Sequence, residues 1–276
     1  MQRKLIAASI ALVAANFMVS SVFATGEQTP INIDKAYTVR DLVPPKIVFY
    51  NYGQQQVTLT NTFGAKAKDE TGTDRVIAQE WATLKATPSQ LNPPYIYVDN
   101  KKFNLLQFHF HTPSEHAVGG NKTRMEVHFV HVAETGCGDG TGESQRPLVV
   151  LGGFIDVGAG SPELAKLFPT GLPTNNLGAQ VIVNNVNLAA LLPQGQPKWR
   201  YEGGLTAPST ACSWFGTATP QLITGEFPEA VHWFLYDKKM YLADEYVKRF
   251  EKLFPEGNAR SLKEIGARKV YERANP

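Results

Sequence analysis

Apolar and polar positions alternate with a period of two over much of this chain, which is the signature of half-buried strands. Ile47-Val48-Phe49-Tyr50 is a short apolar run, and Val57-Thr58-Leu59-Thr60 alternates with β-branched residues. Tyr95–Val98, the pair Asp99-Asn100 and Lys101–Phe110 predict a strand, a tight turn and a strand. Arg124–Val132 and Pro147–Ile155 predict two more, separated by a Gly-rich loop over Thr135–Gln145. Leu188–Leu192 and Trp199–Tyr201 are shorter β runs, and Val231–Tyr236 is a strand. Helical signal is sparse. The polar stretch from Gly64 to Asn92 predicts a short helix around Val76–Leu84, broken by Pro93-Pro94. Leu242, Tyr246, Phe250, Leu253 and Phe254 recur at helical spacing until Pro255 and Gly257 stop the helix. Nothing resembles a repeat or a long linker, so residues 25–276 read as one mainly β domain.

The first 24 residues do not join that pattern. Arg3 and Lys4, the apolar run Leu5–Ala15 and the small residues of Val22-Phe23-Ala24 form a secretory signal, with cleavage expected near Ala24. Removing Arg3 and Lys4 takes the formal charge from +2 to zero. A neutral mature chain without a basic run excludes nucleic acid and anionic membranes as electrostatic partners. The expectation is an exported protein, periplasmic or secreted. Export into an oxidising compartment predicts that the only two cysteines, Cys137 and Cys212, form a bridge.

Five of the six histidines fall between positions 109 and 131. On a strand, Gln107, His109 and His111 share one face while Phe108 and Phe110 take the other. On Met125–His131, Glu126, His128 and Val130 share a face. A hairpin of these strands brings His109, His111 and His128 together as three imidazole ligands on a rigid sheet. Three ligands with a fourth position open is the arrangement of a catalytic rather than a structural zinc. Gln107 and Glu126, one pleat step from His109 and His128, are placed to hold each ring by its second nitrogen. His131 has the opposite parity and reads as a buried, hydrogen-bonded histidine. His116, in the connecting loop, has no ligand role on this reading.

QFHFHTPSEH (107–116) followed by MEVHFVH (125–131) resembles the zinc-binding hairpin of the α-class carbonic anhydrases. Thr29-Pro30-Ile31-Asn32-Ile33 is similar to the family's SPINI segment, and VVLG (149–152) to its pocket strand. YEGGLTAP (201–208), Val231-His232-Trp233 and the NxR of Gly257-Asn258-Ala259-Arg260 extend the likeness from Thr29 to Val270. The resemblance implies a large twisted, mostly antiparallel central sheet with short peripheral helices. It implies a zinc lyase in which zinc-bound hydroxide hydrates CO2 to bicarbonate. Thr206 would orient that hydroxide while donating to Glu115, and Val130, Val150, Leu205 and Trp233 would form the apolar wall for CO2. An esterase-type hydrolase and a catalytically silent binding relative are the alternatives. Retention of all three histidines with Glu115 and Thr206 favours the enzyme.

The likeness breaks in two places that bear on function. Fast members carry a proton-shuttling histidine in an NNGH-like motif, whereas Thr60-Asn61-Thr62-Phe63-Gly64 has none. The shuttle is therefore unassigned. Between Ser209 and Trp233 an insertion containing Cys212 stands beside the site, offering either a narrower cavity mouth or a contact for a homo-oligomer.

Overall fold

The computed structural model describes residues 28–274 apart from 69–73, 78–80, 90, 135–146, 207–210, 214–220 and 224–230. Thirteen strands build one mixed sheet. They are β1 (Thr38–Asp41), β2 (Ile47–Tyr50), β3 (Gln54–Asn61), β4 (Leu84–Pro88), β5 (Tyr95–Val98), β6 (Lys101–His111) and β7 (Met125–Ala133). The rest are β8 (Leu148–Val157), β9 (Val181–Asn187), β10 (Trp199–Gly203), β11 (Val231–Leu235), β12 (Met240–Leu242) and β13 (Val270–Arg273). The main path runs β9-β3-β4-β6-β7-β8-β11-β10-β13-β1, with β12 on β8, and β2 joined to β6 through β5. Most pairs are antiparallel; β8 runs parallel to β11 and β12, and β13 parallel to β1.

The hairpin that matters forms as the alternation predicts. Asp99 and Asn100 both adopt positive φ (46° and 67°), so two Asx residues make the turn between β5 and β6. β6 and β7 pair antiparallel with His109 opposite His128 and His111 opposite Glu126. One irregularity interrupts them: the register passes from Val130↔Gln107 to His131↔Leu105, leaving Leu106 as an extra residue. This bulge flips the parity of β6, so Leu105 packs on the face away from the histidines.

Each face of the sheet carries its own core. The far face is aromatic: Phe108 stacks on its register partner Phe129 at 4.7 Å, and Phe110 packs against Phe168 and Phe250. The histidine face holds Ile31, Val130, Val150, Tyr201, Trp233 and Leu235. A helix α1 (Pro162–Lys166), started by the Ser161 side chain, and a helix α2 (Asp244–Glu251) lie at the edges. Among the described residues no helix is long and apolar enough to cross a membrane.

Two sequence expectations are corrected. The described residues do not form a helix running from 76 to 84: Val76 ends a short strand, Asp74–Val76, and Leu84 opens β4, while 78–80 lie outside the described residues. Leu84 and Ala86 are buried while Lys85 and Thr87 alternate with them, a period of two that the surrounding polar residues masked. Leu188–Leu191 is a 3₁₀ turn rather than a β run, because Leu188 and Leu191, three apart, both point inward. The Thr135–Gln145 loop lies outside the described residues.

His131 is fully buried in the far core, where Nδ1 donates to the Phe129 carbonyl (3.0 Å) and Nε2 meets the Tyr52 hydroxyl. Burial depresses its pKa to about 3. Between the unfolded value of about 6.5 and that folded value, only the unfolded chain binds the extra proton, so stability falls as pH drops through this window. One such group contributes a slope of about 1.4 kcal/mol per pH unit. Denaturant titrations across the window should show a shallower pH slope in His131→Gln than in the parent. Equal slopes would mean that the ring does not stay neutral.

Candidate metal centre

The register places the site residues in rows across the histidine face. One row reads Lys85, His109, His128 and Gly152, on β4, β6, β7 and β8. The next reads Gln107, Val130, Val150, Trp233 and Tyr201. His111, Glu126 and Phe154 make the third.

Each of the three histidines is held by one ring nitrogen. His109 Nδ1 is 2.9 Å from Gln107 Oε1, His111 Nδ1 is 2.8 Å from the Asn258 carbonyl, and His128 Nε2 is 2.9 Å from Glu126 Oε1. These acceptors fix the tautomers, so the remaining nitrogens (Nε2 of His109 and His111, Nδ1 of His128) carry lone pairs. Ligand nitrogens of the three rings lie within 4.8 Å of one another. Two of them, His111 Nε2 and His128 Nδ1, are buried and have no hydrogen-bond partner. Buried polar atoms are almost always paired, so two converging orphans beside a third imidazole fit a metal ion that takes nitrogen ligands. Burial first, and the neighbouring imidazoles second, push His109 well below the usual histidine pKa; burial likewise lowers His111. Both are thus neutral, the form that binds metal. For His128 burial acts downward, but the charge and hydrogen bond of Glu126 outweigh it and raise the pKa.

Behind His128 lies a buried polar chain. Glu126 is fully buried; its Oε1 also meets His116 Nδ1 (2.8 Å), and its Oε2 accepts from the His116 backbone N–H (2.9 Å). His116 Nε2 is 2.5 Å from the Tyr201 hydroxyl, which donates to Thr29 Oγ1 (3.2 Å). Gly152, in register with His128, leaves room for this carboxylate. A Cβ there would stand 3.1 Å from Glu126 Oε1 and 2.4 Å from a Leu235 methyl.

The sequence reading missed His116 as a member of this chain, since a loop position gives no parity to read. It also missed Asn258, whose side chain accepts from the Thr112 N–H and donates to the Phe110 and Ala82 carbonyls, pinning the end of β6. The only signal for it was the NxR segment.

Glu115 is buried, with Oε1 accepting from the Arg260 N–H (2.9 Å). Its Oε2 has no hydrogen-bond partner and lies 3.5 Å from His111 Nε2 and 3.8 Å from His128 Nδ1. Thr206 is buried too, but no hydrogen bond joins it to Glu115. The four wall residues belong to one apolar cluster: Val130, Val150 and Trp233 are buried and Leu205 packs against them. The Trp233 ring meets His128 edge-on at 4.8 Å, and its Nε1 donates to the Gly204 carbonyl (3.0 Å). Cys137 lies outside the described residues, as does most of the insertion before Trp233.

Three imidazoles on adjacent antiparallel strands, each oriented from behind and flanked by an apolar wall, make a site that could hold a metal ion. Comparison with known proteins gives it a family. Residues 19–274 match the eukaryotic-type carbonic anhydrase family, and the chain belongs to it. A carbonic anhydrase of Klebsiella pneumoniae is 35% identical over 126 residues, 46% of this chain and 47% of that one. One of Pectobacterium carotovorum is 27% identical over 199 residues, 72% of this chain and 69% of its own length. The chain thus spans about half of the first relative and about two thirds of the second. Among solved structures, the α-carbonic anhydrase of Thermovibrio ammonificans superposes with a TM-score of 0.65 at 27% identity, covering 89% of this chain and 87% of that one. That of Photobacterium profundum gives 0.65 at 25% identity, covering 91% of both.

Proposed function

We propose that this chain hydrates carbon dioxide reversibly to bicarbonate and a proton, with zinc held by His109, His111 and His128. The observation that carries the reading is the pair of buried, unpartnered nitrogens converging with His109. When bound, zinc would supply a water of pKa about 7, a figure for which carbonic anhydrase is itself the reference case. The residues do the rest. Gln107, Asn258 and Glu126 keep the three rings in their metal-binding tautomers. Val130, Val150, Leu205 and Trp233 offer neutral, apolar CO2 a dry surface. Glu115 Oε2 is a buried acceptor that lacks a donor, and the family resemblance names the buried Thr206 hydroxyl as the donor it would take. A Thr206 hydroxyl that gave its proton to Glu115, as the family resemblance implies, would be left to accept from the attacking oxygen and would turn an oxygen lone pair toward the carbon.

The test is zinc content and CO2 hydration of the purified chain. In that assay Thr206→Ala should keep its zinc and lose rate by on the order of 10², the scale of a positioned proton-handling group. An unchanged rate would mean that another group orients the attacking oxygen.

Proton release should be the slow step. All six histidines are placed, and none serves the cavity mouth: three are ligands, His116 and His131 are buried, and His232 points from β11 to the far side of the sheet. Phe63 and Gly64 occupy the region where relatives would place a shuttle. Imidazole-type buffer should therefore raise kcat at fixed pH while leaving kcat/KM for CO2 nearly unchanged. A high kcat indifferent to buffer would show an internal relay.

Export and a Cys137–Cys212 bridge belong to the same proposal. The first residue and the thiol count of the unreduced mature protein check both, and two free thiols would exclude the bridge.

A further inference from the structure

Lys85 stands beside the metal centre on the side away from the apolar wall. It is the register partner of His109, so its side chain shares the histidine face, and its ammonium is one of the charges felt at the His109 ring. It is half-buried, and no carboxylate pairs with it among the described residues. Thr60 is its partner on β3, and Thr58 faces Thr87 one pleat step further on. Together with Ser89 and Gln180 these side chains line a cavity of about 390 Å³, and none of the described residues lining it is acidic. Of the two described acids at the site, Glu126 is committed to His116 and His128, while Glu115 gives Oε1 to Arg260 and keeps Oε2 unpartnered on the His111 side, away from Lys85.

The two sides of the centre thus differ in chemistry. Val130, Val150 and Trp233 suit a neutral, apolar molecule, while Lys85 and the hydroxyl-lined cavity suit an anion. We infer that Lys85 is an anion-docking residue, its ammonium drawing bicarbonate and other small monoanions to the centre through the cavity lined by Thr58, Thr60 and Thr87. The inference rests on the carbonic anhydrase reading, since it assigns a path to the charged member of that reaction.

Thiocyanate is the probe, titrated into cobalt-substituted protein and followed by the visible spectrum, a binding readout independent of turnover. Lys85→Gln should weaken thiocyanate about fivefold, the size Coulomb's law gives for one charge at a cross-strand neighbour in a half-wet site. Lys85→Glu should weaken it further and Lys85→Arg should hold it within about twofold, because the effect follows charge. Added inert salt should narrow the gap between parent and Lys85→Gln. Inhibition of CO2 hydration by bicarbonate should follow the same order. Full cobalt uptake with equal thiocyanate constants in all variants would overturn the inference alone. A parent protein that neither takes up cobalt nor hydrates CO2 would overturn the inference together with the reading beneath it.

Discussion

His128→Ala should leave the protein without zinc after dialysis against a chelator and without measurable CO2 hydration. On the proposed assignment three ring nitrogens would hold the ion, and the substitution removes one of them outright. The loss should exceed the roughly 10–100-fold cost of removing a group that merely orients a ligand. It also strips Glu126 Oε1 of one donor and takes away the ring that packs edge-on against Trp233. His109→Ala should behave likewise for the metal. His131→Asn, three residues along the same strand but on the other face, should keep zinc even where it costs stability. Metal analysis of the three variants separates the ligand face from its opposite. Full zinc in His128→Ala would refute the ligand assignment.

That contrast rests on parity, and parity is legible in the sequence. Phe108, Phe110 and Val127 are apolar between polar neighbours, so alternation alone sorts the histidines of β6 and β7 by face. The hairpin then pairs His109 with His128 in register. Where alternation breaks, legibility ends. The adjacent pair Leu105-Leu106 marks the bulge, but two neighbouring leucines read equally well as an ordinary apolar run. Lys85 is hidden for a related reason: its strand is five residues long and follows a polar stretch, so the segment reads as helix. His116 and Asn258 act from outside the sheet, through contacts across 10 and 147 positions, and no local period encodes such partners. The Glu115–Thr206 pairing comes from the family resemblance alone.

Glu126→Ala should damage both stability and metal binding, in the same protein and for one reason. The carboxylate is fully buried and collects three donors: the His116 backbone N–H, His116 Nδ1 and His128 Nε2. Burial by itself would raise its pKa, but His116 and His128 together hold it well below the carboxylate range. Alanine leaves those donors without an acceptor in a space too dry to replace it, and breaking one side of a buried charged cluster costs about 3–5 kcal/mol. It also frees the His128 ring to turn or change tautomer, so zinc affinity should fall roughly 10–100-fold. Glu126→Gln separates the two effects. Its amide keeps the shape and one acceptor oxygen but cannot receive three donors, so it should retain more stability than alanine while still binding zinc more weakly than the parent. The measurements are denaturant midpoints of the metal-free proteins and zinc competition against a chromophoric chelator. A Glu126→Ala protein that is destabilised yet binds zinc as the parent does would mean that the carboxylate supports the fold only, and that His128 is oriented by the Trp233 wall instead.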